Sequence, residues 1–132
     1  MPMIVVGKEE VVTLPPDIQR FLEKDCQDLV SHDMEKIMGN FSNRFRDYDR
    51  DKARREADLR RFVPQITSCE NRVTVFEPRG DKAYLAGYRT TNLWKIPLFG
   101  SAIIKEDGQW KWYGNQRRRR RKPYEDHESA RP

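Results

Sequence analysis

Cysteine and histidine are scarce in this chain, two of each in 132 residues. None of the four stands at metal-ligand spacing, so no metal centre is expected, and no motif asks for another cofactor. Two cysteines are too few for a disulfide framework. Cys26 falls on the apolar stripe of a predicted helix, so the expectation is a pair of buried free thiols rather than a bridge. A glycine-rich phosphate loop and a nucleophile elbow are both missing, which removes two common signals of enzymatic chemistry. Long apolar runs are missing too: Met3 to Val6 is far too short for a signal peptide or a membrane span. A cytoplasmic setting is the default, with the mature part of an exported protein as the alternative. Internal repeats are absent. A general basic surface is also absent, because Arg117 to Lys122 supply six positive charges and the net charge is only +5.

What is present suffices for one domain. Charged and hydrophobic residues each make up 36%, and the hydrophobic ones are spaced periodically rather than scattered, as a core requires. The stretch from Leu98 to Gln116 carries the strongest local signal. Asp107-Gly108 lies between apolar runs, and a type I′ turn needs φ > 0 at both central residues, which this pair favours. Counting outward pairs Glu106 with Gln109, Lys105 with Trp110, Ile104 with Lys111, Ile103 with Trp112 and Ala102 with Tyr113. Ile103, Trp110 and Trp112 then share one face, and Ala102, Ile104 and Tyr113 the other. Large apolar groups on both faces place this hairpin in the middle of a sheet covered on two sides.

Upstream, residues 1–14 read as an arm that adds an edge strand or wanders. Pro15-Pro16-Asp17 starts a helix, with proline tolerated in the first turn and an acid opposing the helix dipole. Ile18, Phe21, Leu22, Cys26, Leu29 and Val30 form its apolar stripe. Ser31-His32-Asp33 breaks it, and Asp33 caps a second short helix that buries Met34, Ile37 and Met38. A polar loop with Phe45 and Tyr48 follows. Asp49 or Asp51 caps a third helix with Leu59, Phe62, Val63 and Ile66 on one side, ended by Pro64. After Cys69 the period changes to two: a strand over Arg72 to Glu77, a turn at Pro78 to Asp81, and a strand over Lys82 to Asn92.

Helices first and antiparallel strands last indicate an α+β fold, three N-terminal helices packed on a strongly curved antiparallel sheet of about four strands. The residues that carry a more specific resemblance are His32-Asp33-Met34 at the helix break, Tyr48-Asp49-Arg50-Asp51-Lys52 entering the third helix, and Ile104 to Trp112 with its Asp-Gly turn and closing tryptophans. In this order they resemble the nuclear transport factor 2-like superfamily, in its SnoaL-like branch with the cystatin-like cone. The resemblance covers about residues 15–116, leaving 1–14 as the arm and 117–132 as a basic, disordered tail. One departure stands out: the family's small hairpin between the second and third helices is shortened here to a loop or missing.

The resemblance implies a pocket in the cone between helices and sheet, and pairing of two copies through the sheet's outer face. Phe45, Tyr48, Tyr84, Tyr88 and Trp112 are candidates for the pocket wall, and Ala102, Ile104 and Tyr113 for a homodimer interface. Tyr84 and Tyr88 share a strand face with Ala86 and Thr90, while Ala83, Leu85, Gly87 and Arg89 share the other. The tyrosine face suits a pocket, an interface, or amphipathic aromatics at the sheet rim. Trp110 and Trp112 fit a core better than a ligand stack. Enzymes of this fold use a carboxylate base with a tyrosine and a protonated acid, or a histidine near a tyrosine and an aspartate. Here that leaves Asp33, which the helix cap already explains, His32 at a helix junction, and Tyr48. The expected function is therefore binding of a small, partly apolar molecule in the cone. An isomerase- or hydrolase-like enzyme and a ligand-free dimeric interaction module are the alternatives. The Arg117–Lys122 run reads as solvated surface, with no specific nucleic-acid partner.

Overall fold

A computed structural model describes residues 11–98 and 101–116. Helix α1 (Pro16–Ser31) is followed by α2 (Met34–Gly39), a two-rung hairpin of β1 (Arg46–Asp47) and β2 (Arg50–Asp51), and α3 (Lys52–Phe62). A 3-10 turn at Val63–Gln65 leads to β3 (Cys69–Arg79), β4 (Lys82–Thr91), β5 (Lys95–Pro97), β6 (Ser101–Glu106) and β7 (Gln109–Trp112).

Local chemistry accounts for the helix ends. His32 closes α1 in the left-handed region at φ 65°, its N–H donating to the Leu29 carbonyl. The Asp33 carboxylate accepts from the N–H groups of Glu35 and Lys36, and Asp51 accepts from that of Arg54. Asp51, not Asp49, is thus the cap of α3. The buried stripe of α1 is Ile18, Phe21, Leu22, Asp25, Cys26, Asp28 and Leu29. Val30, expected on it, is instead 38% exposed.

The main sheet is antiparallel, in the order β3-β4-β6-β7, with β5 pairing β4 beyond the end of β6. The closing hairpin has the expected register at all four pairs from Glu106–Gln109 to Ile103–Trp112. Asp107 and Gly108 both have positive φ, at 51° and 78°. Its position differs from expectation, since β7 is an edge strand rather than a central one. Residues 40–46 cover that edge: Trp112 donates its N–H to the Asn40 carbonyl and accepts from Ser42, and Arg46 donates to Tyr113. The small hairpin expected to be lost is present as β1 and β2, turned through Tyr48 at φ 59°.

Curvature has a local cause. The register between β3 and β4 shifts between Val73 and Val75, a bulge that bends and twists the pair. Gly87 lies opposite, and a Cβ there would stand 1.9 Å from the Arg72 carbonyl oxygen. The bend therefore requires glycine. Inside it, Ala83, Leu85, Val73, Ile103 and Trp112 pack against Ile18, Phe21, Leu22 and Leu29 of α1 and against Ile37 and Met38 of α2.

The cysteines overturn their expectation: Cys26 and Cys69 are joined in a disulfide. Each cysteine alone reads as a small buried apolar residue, but α1 crosses the start of β3 and brings the two Cα atoms to 5.3 Å. The bond spans 43 residues, for which loop closure in the unfolded chain gives about 4 kcal/mol of stabilisation. Urea unfolding with and without reductant, and of the Cys26→Ser/Cys69→Ser variant, is expected to show a loss of that order. An unchanged midpoint would remove the bridge from the account of stability.

Candidate functional site

The stripe of α1 carries a charge at its centre. Asp25 is 1% exposed, and a carboxylate so buried must be paired and hydrogen-bonded. Three strands supply the partners. Trp112 of β7 donates its indole N–H to Asp25 Oδ1 at 3.0 Å, and Asn71 of β3 donates its amide to Oδ2 at 3.2 Å. Arg89 of β4 donates from Nη2 to Oδ2, and its Nε donates to Asn71 Oδ1 at 2.9 Å. The Arg89 guanidinium also lies 5.6 Å from the Trp112 ring centre.

A second indole repeats the pattern two turns earlier. Trp110 donates to Asp17 Oδ2 at 2.8 Å, and this bond is the main reason the Asp17 carboxyl is held below the usual carboxylate range. Burial opposes it, while the Ile18 N–H and Lys105 reinforce it.

Arg89 and Trp112 also line a cavity of about 280 Å³. Its walls include Phe41, Phe45, Ile96, Pro97, Leu98 and Gly114, and its polar rim holds Asp47, Arg55 and Ser101. The Phe41 and Phe45 rings meet edge to face at 5.1 Å. Arg55, on α3, lies 5.1 Å from the Phe45 ring centre and donates to Asp47 Oδ2 at 3.4 Å. Burial pushes its guanidinium below the ordinary arginine range, and the nearby Asp47 and Asp58 only partly oppose that. A larger but more open groove of about 530 Å³ runs beside the disulfide between α1 and β3.

Of the residues expected to line a pocket, Phe45 and Trp112 line this one. Tyr84 and Tyr88 do not. Ala83 and Leu85 turn inward to the core, so strand alternation turns the tyrosines outward, where Arg79 and Lys95 cover their rings at 4.6 Å and 4.5 Å. Tyr48 is 49% exposed at the turn of the small hairpin, away from the cavity. The catalytic candidates do not converge either. Asp33 is occupied as the cap of α2, and His32 is exposed, with Nε2 2.6 Å from the Ile66 carbonyl oxygen.

Ala102 and Ile104, expected at a dimer interface, are 2% and 1% exposed within the single chain, so their burial needs no second copy. Tyr113 is half-buried, with the Arg44 guanidinium 5.6 Å from its ring centre. The Arg117–Lys122 run lies outside the described residues.

Sequence reasoning missed Asp25, Arg55 and Arg89 as site residues. A signal for Asp25 was there: an acid seven residues after Ile18, in the middle of an apolar stripe, is a buried charge in search of a partner. Arg89 carried the same signal on the apolar face of β4.

No family model and no curated protein matches the chain. Solved structures do. A protein of unknown function with a cystatin-like fold from Nostoc punctiforme aligns at a TM-score of 0.54 and 12% identity, over 77% of this chain and 90% of that one. An NTF2-like protein of unknown function from Pseudomonas putida aligns at 0.52 and 13%, over 74% and 80%. A de novo designed protein with a curved β-sheet aligns at 0.54 and 15%, over 76% and 95%. At such identities the likeness is one of fold, and the chain has the NTF2-like, cystatin-like α+β fold.

The Asp25 network generates a stability test. Asp25→Ala leaves the Arg89 guanidinium with its main anionic partner gone, and denaturant unfolding is expected to show a loss of about 3–5 kcal/mol. The double change Asp25→Leu with Arg89→Met is expected to recover much of it, because both charges then leave together. A mild effect of Asp25→Ala would show that water reaches the network.

Proposed function

We propose that this NTF2-like chain is a binding module whose cone takes up a small, partly apolar molecule. The observation that carries the reading is the cavity of about 280 Å³ left between Phe41, Phe45 and Trp112 under a polar rim. Its size falls just under the usual range for small-molecule pockets, and its lining combines aromatic and aliphatic walls with a comparable share of polar surface from Asp47, Arg55, Arg89 and Ser101.

The enzyme alternative draws less support. Among the described lining residues the one carboxylate, Asp47, is paired with Arg55, and His32, Asp33 and Tyr48 lie elsewhere. A reaction of the isomerase type needs an acid or base converging on the cavity.

The test is a titration of the full chain with a panel of single-ring molecules, neutral and charged, followed by amide chemical shifts. At least one is expected to give saturable shifts at Phe41, Phe45 and Trp112. Ser101 pairs with Leu85 on the inward face of the sheet and lines the cavity, so Ser101→Phe should place a ring there and abolish the shifts. A panel without saturable shifts at these positions would overturn the reading.

A further inference from the structure

We propose that the ligand of this cavity is an organic acid, its carboxylate held by Arg55 at the rim and its apolar body lying against Phe41, Phe45 and Trp112. This rests on the binding reading above and adds the ligand's charge.

Two guanidinium groups reach the cavity, and they differ in how fully they are used. Arg89 is committed inward, with Nε on Asn71 and Nη2 on Asp25. It serves to place the Trp112 wall. Arg55 is less engaged. Among the described residues the hydrogen bonding of its side chain consists of one contact, to Asp47, at 3.4 Å, the long limit for such a bond. Its side chain is only 28% exposed, so most of its hydration is lost, and one long hydrogen bond and the face of the Phe45 ring replace it. The other nearby acid, Asp58, is engaged by Arg50 at 3.2 Å. Burial, with the nearby Arg50 cation adding to it, holds the guanidinium below the ordinary arginine range, and Asp47 and Asp58 only partly oppose this. A planar fork with spare N–H donors at the edge of an aromatic cavity fits a carboxylate better than any neutral group.

A cationic ligand is the opposite possibility, since Asp47 also sits on the rim. Arg55 weighs against it, because an incoming cation would have to displace the guanidinium from Asp47 and remain beside it. Inorganic phosphate shares the charge of a carboxylic acid but lacks a body to meet the three aromatic rings. It is expected to bind more weakly.

The experiment compares phenylacetate, phenylacetamide, phenethylamine and inorganic phosphate on the full chain, by the same amide shifts and with the disulfide intact. Phenylacetate is expected to bind at least tenfold more tightly than the isosteric amide, with shifts at Phe41, Phe45 and Trp112. Phenethylamine and phosphate are expected to be weaker still. Arg55→Gln should remove the preference for the acid and leave amide binding in place. Arg55→Lys should retain part of the preference, because the charge stays and the fork is lost. The wild-type comparison needs no variant to fold. Equal binding of acid and amide would overturn the inference and leave the binding reading intact. Preference for the amine, or phosphate bound more tightly than phenylacetate, would overturn it in the same way. Binding of none of the four at these residues would overturn the inference and weaken the reading beneath it.

Discussion

The buried carboxylate of Asp25 sets the terms for the rest of the molecule. A charge with 1% exposure is tolerable only where donors converge on it, and here they come from β3, β4 and β7 while the acid comes from α1. Four elements far apart in sequence must arrive in one register for the group to be satisfied. A slip of one residue in any strand would turn that strand's donor to the opposite face and leave the carboxylate short of a partner. Such a pair is a weak source of net stability but a heavy penalty on wrong arrangements. It also fixes Arg89 and the Trp112 ring, both of which line the cavity, so the core and the candidate site share one set of side chains.

The second indole–carboxylate contact, Trp110 with Asp17, works at the start of the same helix. Two alternate residues of β7 thus grip α1 at positions eight apart, a little over two helical turns, which fixes the angle at which the helix crosses the sheet. The edge of β7 is closed from the other side by residues 40–46. There Glu106 accepts from the Ser42 hydroxyl at 2.9 Å and from Arg44 at 2.8 Å. The hydrogen bond from Arg44 is the main reason the Glu106 carboxyl lies below its ordinary range. An edge strand covered in this way offers little to a stray strand from another molecule.

Local features were legible in the sequence where one short stretch settles its own geometry. The Asp107-Gly108 turn gave the hairpin register, the stripe from Ile18 to Leu29 gave α1, and Asp33 gave the cap of α2. What needed the tertiary structure was less accessible. Alternation in β4 separates the Tyr84/Tyr88 face from the Leu85/Arg89 face, but it does not say which one the helices cover. The order of strands put the hairpin at an edge, which no local pattern records. The cysteines meet only because α1 lies across β3. Asp25 could have been singled out as a misfit on an apolar stripe, yet its partners lie 46, 64 and 87 residues away.

The disulfide encloses α2, β1, β2 and α3 in one covalent loop, and this loop divides the cavity. Phe41, Phe45 and Arg55 stand inside it, while Arg89, Leu98 and Trp112 stand outside. A protease that nicks an exposed turn such as Tyr48-Asp49 would therefore not release a fragment. The two pieces would stay tethered through Cys26 and Cys69, with both walls of the cavity on the same molecule. Separate fragments would appear only once a reductant parted them.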